Sequence, residues 1–269
     1  MMDDVIAPAT AEQLVAARSR ARGLPAWPGP FPATLDEAYA VQAAASALWC
    51  ETRGDTLAGV KVGRILGEQA ITWGADRFIG PMFAGSVQSA QPGADAVLPV
   101  IAGGSAALEC EIVMVLGQDA PAGRESLDPA ALRAMVAACH IGIEVAGNPV
   151  ADIGALGPLA SVAAFGNNMG LLLGPAIPGW ESLDLDALPC EAIIDGAVVG
   201  AGSGAKLPGG VWTALAFAFQ AAADRGIALR RGALISTGAV TGVHVMAAGQ
   251  SGLADFGALG SLPFVVRAA

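Results

Sequence analysis

From Leu57 onward the chain breaks its apolar residues into short runs separated by Gly and Pro. Runs of this length and punctuation read as strands. They are expected near residues 58–62, 97–100, 108–116, 141–145, 169–173, 190–194, 197–200, 233–236 and 262–266. "IIDGAVVG" adds a hairpin signal, with Asp195–Gly196 at the turn.

The first 56 residues have a different texture. Thr10 with Gln13 fits a capping box, which predicts a helix to about Arg22, stopped at Gly23. A Pro-rich link, "GLPAWPGPFPA", follows. Thr34 with Glu37 forms a second capping box and opens a helix closed by Gly54, with Ala38, Val41, Ala45 and Leu48 on its inward face. Two helices interrupt the strands. Asp128 and Pro129 form one start signal. The other helix is expected from about Gly210 to Arg225, with Trp212, Leu215, Ala216 and Phe219 on one face and Gly226 as its stop. The fold class is therefore α+β, with a helical N-terminal arm (1–56) and a β-rich core (57–269) forming one functional unit.

Composition excludes some classes. A formal charge of −10 argues against nucleic-acid or acidic-membrane binding. Apolar runs such as "GLLLGPAIPGW" are too short to span a bilayer. The acidic start, "MMDDVIAPATAEQ", lacks the apolar region of a signal peptide, so the cytoplasm is expected. Cys50, Cys110, Cys139 and Cys190 show no CxxC spacing and read as reduced thiols. With only His140 and His244, a His-rich zinc site is disfavoured, and both histidines read as structural.

"ALECEIVMVLG" carries the chemistry. In a strand, Glu109 and Glu111 point to one face, continued by Val113 and Val115. Cys110, Ile112 and Met114 make the other face apolar as well. Two buried carboxylates this close cost several kcal/mol unless a proton, a cation or a metal offsets them. An exposed strand end would also accommodate them. Glu144, embedded in "HIGIEVAG", is a third acid in an apolar strand. Three acids in two such strands suggest one oxygen-rich site for Mg²⁺ or Mn²⁺. Lys61 in "LAGVKVG" is the matching oddity, a lysine that either snorkels at a strand end or acts on a substrate.

These segments together resemble the 2-keto-4-pentenoate hydratase and 2-oxo-3-hexenedioate decarboxylase branch of the fumarylacetoacetate hydrolase superfamily. The resemblance runs through "TLDEAYAVQ", "GVKVG", "IGPMFAGS", "LECEIVMVLG", "IGIEVAG", "GSGAK" and "ADFGALGS". It implies a mixed β-roll core behind a helical N-terminal region, and a homo-oligomer. It implies metal ligation by Glu109, Glu111 and Glu144, with Lys61 as the catalytic residue. Asn168, Ser236 and Thr237, with Asn167 beside them, are the expected substrate-binding groups. The implied reaction is metal-dependent hydration of a 2-hydroxy-2,4-dienoate in aromatic-compound catabolism. The alternatives are 2-oxo-3-hexenedioate-type decarboxylation, acylpyruvate-type C–C hydrolysis, and a silent relative that assembles with a partner enzyme. Two departures stand out. Phe78 occupies the place of the Asp in the branch's "PDFG" segment, and Asn168 lies near the place of a Ser. A decarboxylase should want a further cation, for which Arg64 and Arg77 are candidates.

Overall fold

The computed structural model describes residues 3–123 and 127–269. Two helices lead, α1 (Asp3–Ser19) and α2 (Leu35–Arg53). The strands follow as β1 (Leu57–Arg64), β2 (Arg77–Phe83), β3 (Val87–Ser89), β4 (Ala96–Val100), β5 (Ser105–Leu116), β6 (Val136–Asn148) and β7 (Asn168–Ala176). Then come β8 (Cys190–Ile194), β9 (Ala197–Gly202), β10 (Leu234–Ser236), β11 (His244–Val245), β12 (Ser251–Asp255) and β13 (Ser261–Ala268). Between the strands lie α3 (Glu68–Trp73), α4 (Pro129–Ala134), α5 (Ile153–Leu156), α6 (Pro158–Ala163) and α7 (Gly210–Asp224). No helix among the described residues is long and apolar enough to cross a membrane.

The strands form two sheets. The larger runs β2-β1-β10-β5-β6-β7-β3, with β11 also on β5; the smaller runs β4-β13-β12-β8-β9. Pairing in the larger sheet is mixed, since β1 and β10 are parallel while β5, β6 and β7 are antiparallel neighbours. β2, at one end of the path, lies against β7 near the other, so the sheet rolls up on itself. This is the expected α+β roll.

The roll explains why β5 is apolar on both faces. Cys110, Ile112 and Met114 join the main core, which also takes in α1, α2 and the second sheet. Val113 faces a separate small cluster inside the roll with Met82, Leu171 and Leu234.

All nine expected strands are present, and β2, β3, β11 and β12 were not anticipated. Pro81 in β2 argues against an interior strand. It is tolerated because β2 ends the sheet path, so no neighbour needs its missing N–H. The hairpin turn is as expected, with φ of +50° at Asp195 and +80° at Gly196.

The α2 cap holds, with Thr34 accepting from the Glu37 N–H and left-handed Gly54 closing the helix. Asp128 likewise caps α4, accepting from the Ala131 N–H at 2.8 Å. The first helix differs from expectation. It begins at Asp3, so Thr10 lies within it, buried, and its hydroxyl donates to the Pro30 carbonyl instead of capping. It ends at Ser19, and left-handed Ala21 makes the turn in place of Gly23. Gly23 serves a backbone crossing: a Cβ there would meet the Gly103 carbonyl carbon at 2.4 Å. In α7 the buried stripe is Val211, Ala214, Leu215, Ala218 and Phe219, so the face is rotated from the one expected, and Trp212 and Ala216 lie at its edge. The four cysteines are free thiols.

Candidate metal centre

Five neighbouring strands of the rolled sheet each contribute a polar side chain to one point. Lys61 on β1 is in register with Ser236 on β10, and Glu109 on β5 lies directly opposite Glu144 on β6. Glu111 follows two residues along β5, on the same face. Asn168 opens β7. One oxygen from each of Glu109, Glu111 and Glu144 lies within 4.8 Å of the others. Flat strands spaced about 4.8 Å apart would hold Lys61 and Glu144 three strand spacings apart. The curl brings Nζ to 3.3 Å from Glu144 Oε2 and 3.8 Å from Glu109 Oε2.

The cluster is buried, with exposures of 7% for Glu109, 0% for Glu111 and Glu144, and 3% for Lys61. The solvated strand end that the sequence left open is therefore not the arrangement found. Burial opposes the charge on Lys61, but Glu109, Glu144 and Glu111 outweigh it and hold the ammonium above its ordinary range. Burial also pushes the Glu111 carboxyl up to about 7, assisted by Glu109 and opposed by Lys61, Ser236 and Gly238. Glu144 is raised well above the usual carboxylate range, again by burial first.

Hydrogen bonds hold the carboxylates in place. Ser236 Oγ donates to Glu111 Oε2 in a short contact, and the Gly238 N–H donates to the same oxygen at 2.9 Å. Asn168 Nδ2 donates to Glu144 Oε1 at 3.0 Å. The remaining oxygens point to a cation. Among the described residues, Glu111 Oε1 is buried with no hydrogen bond and Glu144 Oε2 has only the Lys61 ion pair. Three acidic oxygens with free lone pairs around one point form a hard-ligand donor set that fits a divalent cation.

Other residues singled out in the sequence lie elsewhere or are already engaged. Thr237 donates its hydroxyl to the Ile112 carbonyl at 2.9 Å. Asn167 accepts from Asn148 Nδ2 at 2.5 Å. Arg77 donates to the Pro208 carbonyl with its guanidinium carbon 6.0 Å from the centre of the Phe217 ring, and Arg64 is exposed at the end of β1. His140 Nδ1 is 2.8 Å from the Gly174 carbonyl, while His244 packs against Gly200. Phe78 sets its ring 5.5 Å from Lys61 Nζ, an apolar wall beside the ammonium.

Sequence reasoning missed Arg18. Its guanidinium is buried and donates to the Asn168 carbonyl at 2.8 Å. A charged residue near the end of an ordinary surface helix carries no signal that it is buried. A cleft of about 550 Å³ lies among Leu57, Gly59, Val87, Arg231 and Leu234, and no carboxylate of the cluster lines it.

The family model for the fumarylacetoacetate (FAA) hydrolase C-terminal domain matches residues 52–266, and the chain belongs to that family. No curated protein matches the chain by sequence. Among solved structures it is similar to 4-oxalocrotonate decarboxylase from Pseudomonas putida G7 complexed with calcium and acetate. That match has a TM-score of 0.79 at 21% identity, over 97% of this chain and 96% of the other. The same enzyme complexed with magnesium and adipate gives 0.77 at 20% identity, over 99% and 98%. Fumarylpyruvate hydrolase from Pseudomonas aeruginosa in complex with Mn²⁺ and pyruvate gives 0.55 at 18% identity, over 78% and 89%. At these identities the likeness shows the fold.

Proposed function

We propose that the chain is a metal-dependent lyase acting on a short 2-oxo acid, and that it hydrates a 2-hydroxy-2,4-dienoate of the 2-keto-4-pentenoate type. The observation that carries this reading is the convergence of three buried carboxylates and one buried ammonium on a single point. Glu109, Glu111 and Glu144 would hold Mg²⁺ or Mn²⁺. Bound there, the ion supplies Lewis-acid polarisation of a 2-oxo group and stabilises developing enolate charge.

The chain's own residues do the rest. Lys61 stays an ammonium and offers a cation for a substrate carboxylate or a proton for an acceptor oxygen. Ser236 and Gly238 fix Glu111, and Asn168 fixes Glu144, so the ligand oxygens are held before any substrate arrives. Phe78 keeps the neighbourhood of Lys61 apolar, which strengthens its electrostatic contacts.

Decarboxylation of a 2-oxo-3-hexenedioate is the second reading, favoured by two observations. The decarboxylase likeness spans nearly the whole of both chains. Phe78 is also no base for activating water, and decarboxylation needs none. Against it, Arg77 is committed to Pro208 and Phe217.

The test is turnover of 2-hydroxypenta-2,4-dienoate with Mg²⁺, following loss of dienol absorbance and identifying the product. Formation of 4-hydroxy-2-oxopentanoate, abolished by a chelator and in E109Q/E111Q, supports the hydratase. No turnover there but loss of CO₂ from 2-oxo-3-hexenedioate establishes the decarboxylase. Failure of both leaves the silent relative.

A further inference from the structure

Arg18 is an expensive residue. It lies in α1 near the start of the chain, and its guanidinium is buried. Burial lowers its pKa to about 10, opposed by Asp55, so it remains a cation at neutral pH. Its surroundings are three aromatic rings: Trp49 of α2 at 4.8 Å, Phe83 of β2 at 5.6 Å and Phe165 at 4.7 Å. The rings also pack on one another at 5.8–6.2 Å. A buried cation survives when specific contacts replace its water. Here they are three ring faces and one carbonyl, that of Asn168.

That carbonyl belongs to a strained segment. Phe165, Gly166 and Asn167 all have left-handed backbone, at φ of +57°, +62° and +59°. Two of the three are not glycine, a conformation that costs free energy and persists only where its surroundings impose it. Gly80 of β2 supports the turn from one side: a Cβ on Gly80 would meet Gly166 Cα at 2.6 Å. Arg18 ties the turn's exit at Asn168 from the other side. The Asn168 side chain then reaches Glu144 in the carboxylate cluster.

We propose that Arg18 is a positioning residue for the metal centre, acting through Asn168 on Glu144. The aromatic cage and the Asn168 carbonyl fix the guanidinium, the guanidinium fixes the end of the left-handed turn, and the turn aims the Asn168 amide at Glu144. This gives the N-terminal helical region a part in the site. The proposal rests on the metal-binding reading above.

The experiment is a double-mutant cycle read as Mn²⁺ affinity, by calorimetry on the full-length protein, with thermal unfolding alongside. R18M keeps an unbranched stem as far as the position of Nε and removes the charge and donors of the guanidinium. It is expected to raise the Mn²⁺ Kd about tenfold, the size usual for outer partners of a metal ligand. In the N168A background the same change should raise Kd less than twofold, because the route to Glu144 is already cut. R18K, which keeps one donor for the carbonyl, should recover part of the affinity. A merely structural arm contact predicts otherwise: a lower Tm with Kd unchanged, or equal loss in both backgrounds. Either result overturns the proposal. Should R18M fail to fold, R18L carries the same cycle, and equal affinity in R18L and wild type overturns it. A wild-type protein that binds no Mn²⁺ overturns the metal reading and this role with it. Wild-type binding with unaltered R18M overturns this role alone.

Discussion

Glu109 and Glu144 occupy directly opposed positions in the β5–β6 ladder, two carboxylates facing each other across a buried strand pair. Like charges in that relation destabilise a sheet. Glu111, on the same face of β5, adds a third. Lys61 lies among them, and burial raises the Glu111 and Glu144 carboxyls above the usual carboxylate range.

Chelation should change the pH dependence of stability. In the metal-free protein, burial and Glu109 push Glu111 up to about 7 from an ordinary value of 4.5. A group with a raised folded pKa contributes stability that is complete below its unfolded pKa and is lost as pH rises through the folded one. Tm in EDTA should therefore fall between about pH 4.5 and 7, while saturating Mn²⁺ should raise Tm by a margin that grows with pH over that range. Parallel unfolding curves with and without metal would count against ligation by these carboxylates.

Lys61→Met removes the ammonium that lies among the three acids. Taking one partner from a buried pair costs about 3–5 kcal/mol, so Tm of the metal-free variant should drop sharply. Mn²⁺ should restore most of the loss, because the ion supplies the missing positive charge. Under the lyase reading proposed above, with Lys61 moving a proton, turnover of the 2-oxo acid is expected to fall about 10²–10⁴-fold. Thermal unfolding and steady-state kinetics check the two halves separately.

Ser236→Ala tests the support beneath the ligand. Ser236 donates to Glu111, leaving that carboxylate's other oxygen free. Removing the hydroxyl should weaken Mn²⁺ binding about 10–100-fold. Thr237→Val should change it little, since that hydroxyl bonds the Ile112 carbonyl. Metal titrations of both variants give the comparison.

Gly166→Ala should be among the most damaging conservative changes in the chain. The added Cβ would meet Gly80 Cα at 2.3 Å, and the position has φ of +62°. Overpacking costs about 1–3 kcal/mol, with the left-handed penalty added. Gly154→Ala, where a Cβ meets nothing within 4 Å, is the control. Denaturant unfolding of the two should separate them clearly.

The sequence was most legible where it broke its own rules. Glu109, Glu111, Glu144 and Lys61 stand out because charged residues rarely sit inside apolar strands, and that contrast needs no tertiary knowledge. The helix caps at Thr34 and Asp128 and the Asp195–Gly196 turn were legible because their chemistry is local. β2 was hidden by Pro81, which only an end position in the sheet permits. Thr10 imitated a cap because a Thr–x–x–Gln spacing does not record whether the chain before it is already helical.

Residue identity alone therefore determined that this chain would be a β-rich α+β protein carrying an acidic site on two strands. It did so through period-two patterning, turn residues and the cost of burying charge, all of which act over a few residues. Only the tertiary structure decided that the sheet curls far enough to bring Lys61 to Glu144 across three strand spacings. It alone placed Arg18 against Asn168, 150 residues further along the chain. Those contacts depend on strand order and curvature, which arise from the packing of the whole sheet and are written in no single segment.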